Sequence, residues 1–160
     1  MVKLFGVRKE TPRLRRMRSV SLFKGLSLRE LSIVDGLMHQ RNYLASEIVF
    51  DEGEEGQAIY IVLEGTVQLS RGGQGEEGRI ADVGPGAFFG DMALLDNLPR
   101  AAQARATTDS VLAVYFRDDF LMLMETHARI ASKIALQLAQ QMAHRLRGQT
   151  ERDPAIRLHQ

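Results

Sequence analysis

Apolar positions fall in three textures along the chain. Between residues 19 and 40 they recur at helical spacing: Leu28, Leu31, Ile33, Val34, Leu37 and Met38 share a face. Ser27 with Glu30 three residues on has the pattern of a capping box, so a helix is predicted to start there. From about 41 to 116 the runs shorten and become β-branched: Ile48–Phe50, Ile59–Leu63, Val67–Leu69, Ile80–Val83 and Val111–Phe116, separated by glycine-rich turns. Short strands at even spacing predict a closed or double-sheet antiparallel barrel. Residues 71–79, Arg-Gly-Gly-Gln-Gly-Glu-Glu-Gly-Arg, read as a hairpin tip; they lack the strand-to-helix context and the Gly-Lys-Ser/Thr ending of a phosphate loop.

After residue 116 helical spacing returns. A short helix is predicted over Asp118–Met124, then a long one over His127–Arg147 with Ile130, Ile134, Leu138, Met142 and Leu146 at every fourth position. A four-residue step drifts by about 40° around a helix, so the stripe is wide and oblique. It can cover a barrel on one side and a second helix on the other. Gly148 is the expected stop. The expected fold class is α+β, an antiparallel barrel flanked by N-terminal helices and one long C-terminal helix.

Composition narrows the function classes. With 160 residues, 44% hydrophobic and 26% charged, the chain fits one domain with a sizeable core. It has no cysteine, which removes disulfides, thiolate metal sites and a cysteine nucleophile and is compatible with the cytoplasm. No stretch reaches the length of a membrane span and the N-terminus lacks a signal-like apolar run, so a cytoplasmic chain is expected. The net charge of +1 is unevenly placed: residues 1–18 carry +6 and the remainder −5. The expected division is a basic N-terminal extension (1–18), a main domain (19–150) and a tail (151–160). Without interleaved aromatics the basic arm does not point to nucleic acid.

The segment Phe88–Ala104 carries the candidate chemistry. Gly90 and Asp91 open a short apolar turn, and nine residues after Asp91 comes Arg100, followed by Ala101 and Ala102. Unpaired N–H donors at a helix start suit an anion. An arginine can fork onto phosphate oxygens, and a carboxylate can accept from sugar hydroxyls. Arg100 after Pro99 is expected to face solvent, so that its removal would leave the unliganded fold nearly unchanged.

Those residues resemble the phosphate-binding cassette of cyclic-nucleotide-binding domains, whose usual form runs Phe-Gly-Glu, small apolar residues, then Pro-Arg-Ala-Ala. Glu47–Phe50, Glu52-Gly53 and Ile59–Val67 resemble the family's early strands, and the likeness covers roughly residues 20 to 147. The resemblance implies a β-roll and a non-catalytic sensor that signals through its C-terminal helix. Arg100 and the amides of Ala101 and Ala102 would hold phosphate, Gly90 would let the backbone approach the sugar, and Asp91 would stand for the glutamate that reaches the ribose 2′-hydroxyl. Phe89, Met92 and Ala93 complete the binding set, mainly as packing. Two departures stand out: Asp91 is one methylene short, and Ser46 occupies a place where the family often has glycine.

Ala101 after the arginine, where guanine-preferring members often have threonine, is similar to the cAMP-preferring regulatory subunits of protein kinase A. Leu138–Arg147 resembles the dimer helix of the catabolite activator protein, which implies a homodimer through residues 127–147. On that alignment Gln149 and Thr150 fall where polar side chains meet adenine. The expected ligand is cAMP, with no metal. The alternatives are a degenerate scaffold for protein interaction or a site for another ligand such as cyclic di-GMP.

A cupin-type metalloenzyme is the main rival, since such enzymes share the barrel. The four histidines (His39, His127, His144, His159) all lie outside 41–116, so no histidine metal site is expected in the barrel. Residues 151–160 are too few for a helix-turn-helix. If the chain is complete, a protein effector is expected to act in trans, with nucleic acid an unlikely partner.

Overall fold

The computed structural model describes residues 9–72 and 76–152. The N-terminal stretch that holds Lys3, Leu4, Phe5, Val7 and Arg8, and the tail 153–160, lie outside the described residues.

Strand β3 (Ala58–Glu64) explains the layering, because both its faces are buried. Ile59, Ile61 and Leu63 point to one core with the helices, and Tyr60 and Val62 to a second core inside the roll. This follows from the two-residue period of a strand whose every position is apolar or aromatic before Glu64. Together with β1 (His39–Tyr43), β6 (Phe88–Phe89) and β8 (Ser110–Phe116) it forms one sheet in the order β1-β8-β3-β6. The other sheet, in the order β2-β7-β4-β5, contains β2 (Ile48–Phe50), β4 (Val67–Ser70), β5 (Arg79–Val83) and β7 (Gln103–Ala106). All pairings are antiparallel. Phe50, Val62, Val67, Val83, Phe89, Ala104 and Leu112 fill the space between the two sheets. The chain is therefore a β-roll with helices on one side, as its pattern predicts.

The N-terminal helical stretch is more broken than its apolar spacing predicts. Helix α1 (Pro12–Arg18) starts at Thr11, whose side chain accepts from the Leu14 amide, and it buries Leu14 and Met17. A 3-10 turn (Ser21–Phe23) and then Gly25, at φ +87°, separate it from α2 (Leu28–Asp35). The predicted capping box is present: Ser27 Oγ accepts from the Glu30 amide and Glu30 accepts from the Ser27 amide. The helix ends at Gly36, and His39 already belongs to β1. The expected helix over residues 19–40 is thus corrected to two pieces. The basic residues of α1 are also spoken for: Arg13 pairs with Asp35 at 2.6 Å, Arg16 with Glu64 at 2.5 Å and Arg18 with Glu10 at 3.2 Å.

At the other end α3 (Arg117–Thr126) and α4 (Ala128–Arg152) close the helical core with Phe120, Leu123, Ile130, Ala131, Ile134 and Leu138. Gly148 does not stop α4, which runs through it to Arg152. A helix-interior glycine costs about 1 kcal/mol relative to alanine, too little to end a helix of this length. No helix among the described residues is long and apolar enough to cross a membrane.

Candidate functional site

β6 is followed by Gly90, whose φ of +73° takes the chain sharply into a 3-10 turn over Asp91–Leu94. Glycine is needed there on two counts. The left-handed backbone disfavours any Cβ, and a Cβ at this position would lie 2.6 Å from Arg100 Nη1. Gly56 serves the same guanidinium from another side, since a Cβ there would lie 3.0 Å from Ala93 Cβ and 3.3 Å from Arg100 Nε. Two Cβ-free walls therefore make room for one large cation.

Arg100 fills that room and does not face solvent as expected; only 8% of it is exposed. Its Nη2 donates to the Ala58 carbonyl at 2.8 Å and its Nη1 to the Gly90 carbonyl at 3.2 Å. Its Cζ sits 4.1 Å above the ring of Phe50, which packs at a tilt against the stacked pair of Tyr60 and Phe89 in the roll core. Its backbone is fixed as well, donating to Glu54 at 2.7 Å and accepting from Gly53 at 2.8 Å. Burial opposes the charged guanidinium and lowers its proton affinity; Tyr60 and Glu54 act in the opposite sense. Among the described residues no carboxylate pairs with it, and its Nε is buried without a hydrogen-bond partner. Desolvating a charge without a counter-ion is expensive, so the position favours an anion.

Asp91 is the second buried charge, 4% exposed. Its partner comes from far along the chain: Arg145 Nη1 on α4 lies 3.1 Å from Oδ1 and 3.0 Å from Oδ2. Between Asp91 and Arg100 lies a cavity of about 150 Å³, lined by Gly90, Asp91, Ala93, Arg100, Ala101 and Ala102, with Phe50 and Leu69 among the residues that complete its wall. Next to it is a second cavity of about 300 Å³, lined by Met92, Met142, Arg145, Leu146 and Gln149. Asp91, Arg145 and Met92 join the two spaces.

Of the expected site residues, Gly90, Asp91, Met92, Ala93, Arg100, Ala101 and Ala102 meet around the first cavity, and Gln149 lines the second. Phe89 lies behind, stacked on Tyr60 at 5.4 Å in the roll core. Thr150 continues α4, and its side chain lies outside those described. Sequence reasoning missed Gly56, Phe50, Leu69, Arg145, Met142 and Leu146 as parts of the site. The helical members had a readable signal: positions 142, 145, 146 and 149 are spaced i, i+3, i+4, i+7 and share one face.

The description "Cyclic nucleotide-binding domain" is that of the family model matching residues 40–127, over half of the chain. The chain belongs to that family. The chain spans about three fifths or less of the length of the curated relatives it matches. The chain is 37% identical over 129 residues to the cyclic AMP receptor protein of Thermus thermophilus, covering 79% of this chain and 59% of that one. The crystal structure of the Thermus thermophilus catabolite activator protein superposes with a TM-score of 0.71 at 37% identity, covering 80% of this chain and 59% of the other. The regulatory domain of Toxoplasma gondii PKA, crystallised with cAMP, gives a TM-score of 0.61 at 36% identity, covering 68% and 42%. The family-model match ends just before α4, so the helical wall with Arg145 and Gln149 lies beyond it.

Proposed function

We propose that this cyclic-nucleotide-binding domain is a non-catalytic sensor for cAMP, which signals to a protein partner by displacing α4. The observation that carries the reading is Arg100: a buried guanidinium beside an open cavity, paired with no carboxylate among the described residues. A cyclic phosphate supplies the missing anion, held by Arg100 and the adjacent amides of Ala101 and Ala102. Asp91, one methylene short, then accepts from the ribose hydroxyl through a bridging water. The phosphate and sugar sit in the first cavity, and the base extends toward Met92, Met142 and Gln149, which line the second.

Adenine is preferred because Ala101 brings no hydroxyl to the position where a threonine favours guanine, and because the chain resembles a cyclic AMP receptor protein and a kinase regulatory domain crystallised with cAMP. A second copy docking along α4, as the resemblance implies, is tested by gel filtration at two concentrations. A second reading has its own observation. Arg145 already occupies Asp91, as in a scaffold that keeps its site closed with its own cation.

Thermal melting with cAMP, cGMP and cyclic di-GMP separates the two. A ligand at a hundred times its dissociation constant adds about 2.7 kcal/mol of stability. A shift with cAMP that exceeds the cGMP shift, and that Arg100→Lys removes, is the expected result. No shift with any of the three supports the scaffold, and a larger cyclic di-GMP shift reassigns the ligand.

A further inference from the structure

Arg117 is the first residue of α3, at the positive end of that helix, where a cation is disfavoured. Its side chain turns back off the helix. Nη1 donates to the Asp96 carbonyl at 2.6 Å, with the carbonyls of Ala93 and Gly56 farther off at 3.3 and 3.4 Å. Its own amide donates to the Gln57 carbonyl at 2.8 Å. None of these acceptors is a carboxylate; they are backbone oxygens from the two segments that wall the cavity. Asp96 and Ala93 sit at the closing end of the turn that Asp91 opens, where carbonyls lack partners of their own. Gly56 separates Ala93 from Arg100. The turn is therefore held at two ends by the same helical pair, at the front by Arg145 from α4 and at the back by Arg117 from α3.

We propose that Arg117 is a positioning residue of the ligand site, bracing residues 91–96 from behind so that Asp91 and Ala93 stand at fixed places in front of Arg100. It touches no ligand. Its influence on affinity rests on the cyclic-nucleotide reading above, whereas its influence on the turn does not.

The test compares the full chain with Arg117→Met, which keeps the aliphatic stem and removes the donors, and Arg117→Lys, which keeps one point charge. In the unliganded protein, hydrogen exchange at the amides of Ala93, Leu95 and Asp96, which donate to Gly90 and Met92, should accelerate about tenfold in Arg117→Met while Ile59 and Ile61 in β3 keep their protection. Calorimetry with cAMP should show affinity about tenfold lower, with Arg117→Lys between the two. Equal acceleration in β3 would mean a general structural role and overturn the proposal, as would an unchanged turn, or a loosened turn with unchanged affinity. A wild-type chain that binds no cAMP overturns the functional reading alone, because the exchange measurement still decides whether Arg117 braces the turn.

Discussion

Arg145 and Asp91, 54 residues apart, form an ion pair with both carboxylate oxygens within 3.1 Å of one guanidinium nitrogen. The pair is lopsided: the Asp91 side chain is almost wholly buried while half of the Arg145 side chain remains exposed. The carboxylate therefore depends on the arginine more than the reverse. Any sugar hydroxyl that reaches Asp91 must share it with α4 or take it over, and this links the ligand to the helix.

Replacing Arg145 with methionine should accordingly leave a buried carboxylate short of a partner. The expected cost to the unliganded chain is about 1–3 kcal/mol, and a ligand that hydrogen-bonds Asp91 recovers part of it. The cAMP-induced rise in melting temperature should therefore be larger in Arg145→Met than in the wild type. A smaller rise would show that Arg145 holds the ligand rather than standing in its place.

Asp91→Glu restores the side-chain length usual in the family, and the cavity in front of it has room for one methylene. If the ligand is a mononucleotide, the longer acid meets the ribose directly and affinity for cAMP should rise about tenfold, the worth of one charge-assisted hydrogen bond. Lower affinity, measured by calorimetry, would indicate that the short acid is matched to a different ligand.

The β-roll was legible because several of its strands are written in β-branched and aromatic residues: Ile48–Phe50, Ile59–Leu63 and Val111–Phe116 all lie within observed strands. β1 escaped because His-Gln-Arg-Asn-Tyr is polar, which suits a sheet edge paired only with β8. β7 escaped because Gln-Ala-Arg-Ala carries no β-forming side chain and owes its strand to pairing with β2 and β4. The phosphate half of the site was legible as a local motif. The burial of Arg100 was not, since it depends on Gly56 and Gly90 withholding Cβ atoms from either side. The face that carries Arg145 was legible, but its pairing with Asp91 was not. Its partner lies beyond α3 and most of α4, a juxtaposition that tertiary packing alone creates.

Ser46 is the only non-glycine residue with positive φ among those described, at +75°. Its amide donates to the Ala106 carbonyl and its own carbonyl accepts from the Arg105 side chain, so β7 holds it there. Left-handed backbone costs an L-residue about 1–2 kcal/mol, and glycine gives back about 0.5–1 kcal/mol through its freer unfolded chain. Ser46→Gly should thus stabilise by about 0.5 kcal/mol and raise the melting temperature by about 1–2 °C. A lower melting temperature would mean that the serine hydroxyl contributes more than the backbone strain removes.

Glu30 couples the N-terminal helices to α4. Besides closing the capping box it accepts from Lys133 Nζ at 2.9 and 2.8 Å. The lysine hydrogen bond and then the Ser27 amide hold its carboxyl below the ordinary range, against the opposing effect of burial. Because the folded chain binds this proton less readily than the unfolded chain, Glu30 contributes stability above the ordinary glutamate value of 4.5, and that contribution is lost as pH falls through the lower folded value. The side chains are partly exposed, so the pair contributes no more than about 1 kcal/mol. Glu30→Gln should therefore lower the melting temperature at pH 7 by about 2–4 °C at most and make little difference near pH 3. Melting curves of the two proteins across that interval should converge as pH falls; a constant gap would assign the effect to the cap geometry rather than to the charge.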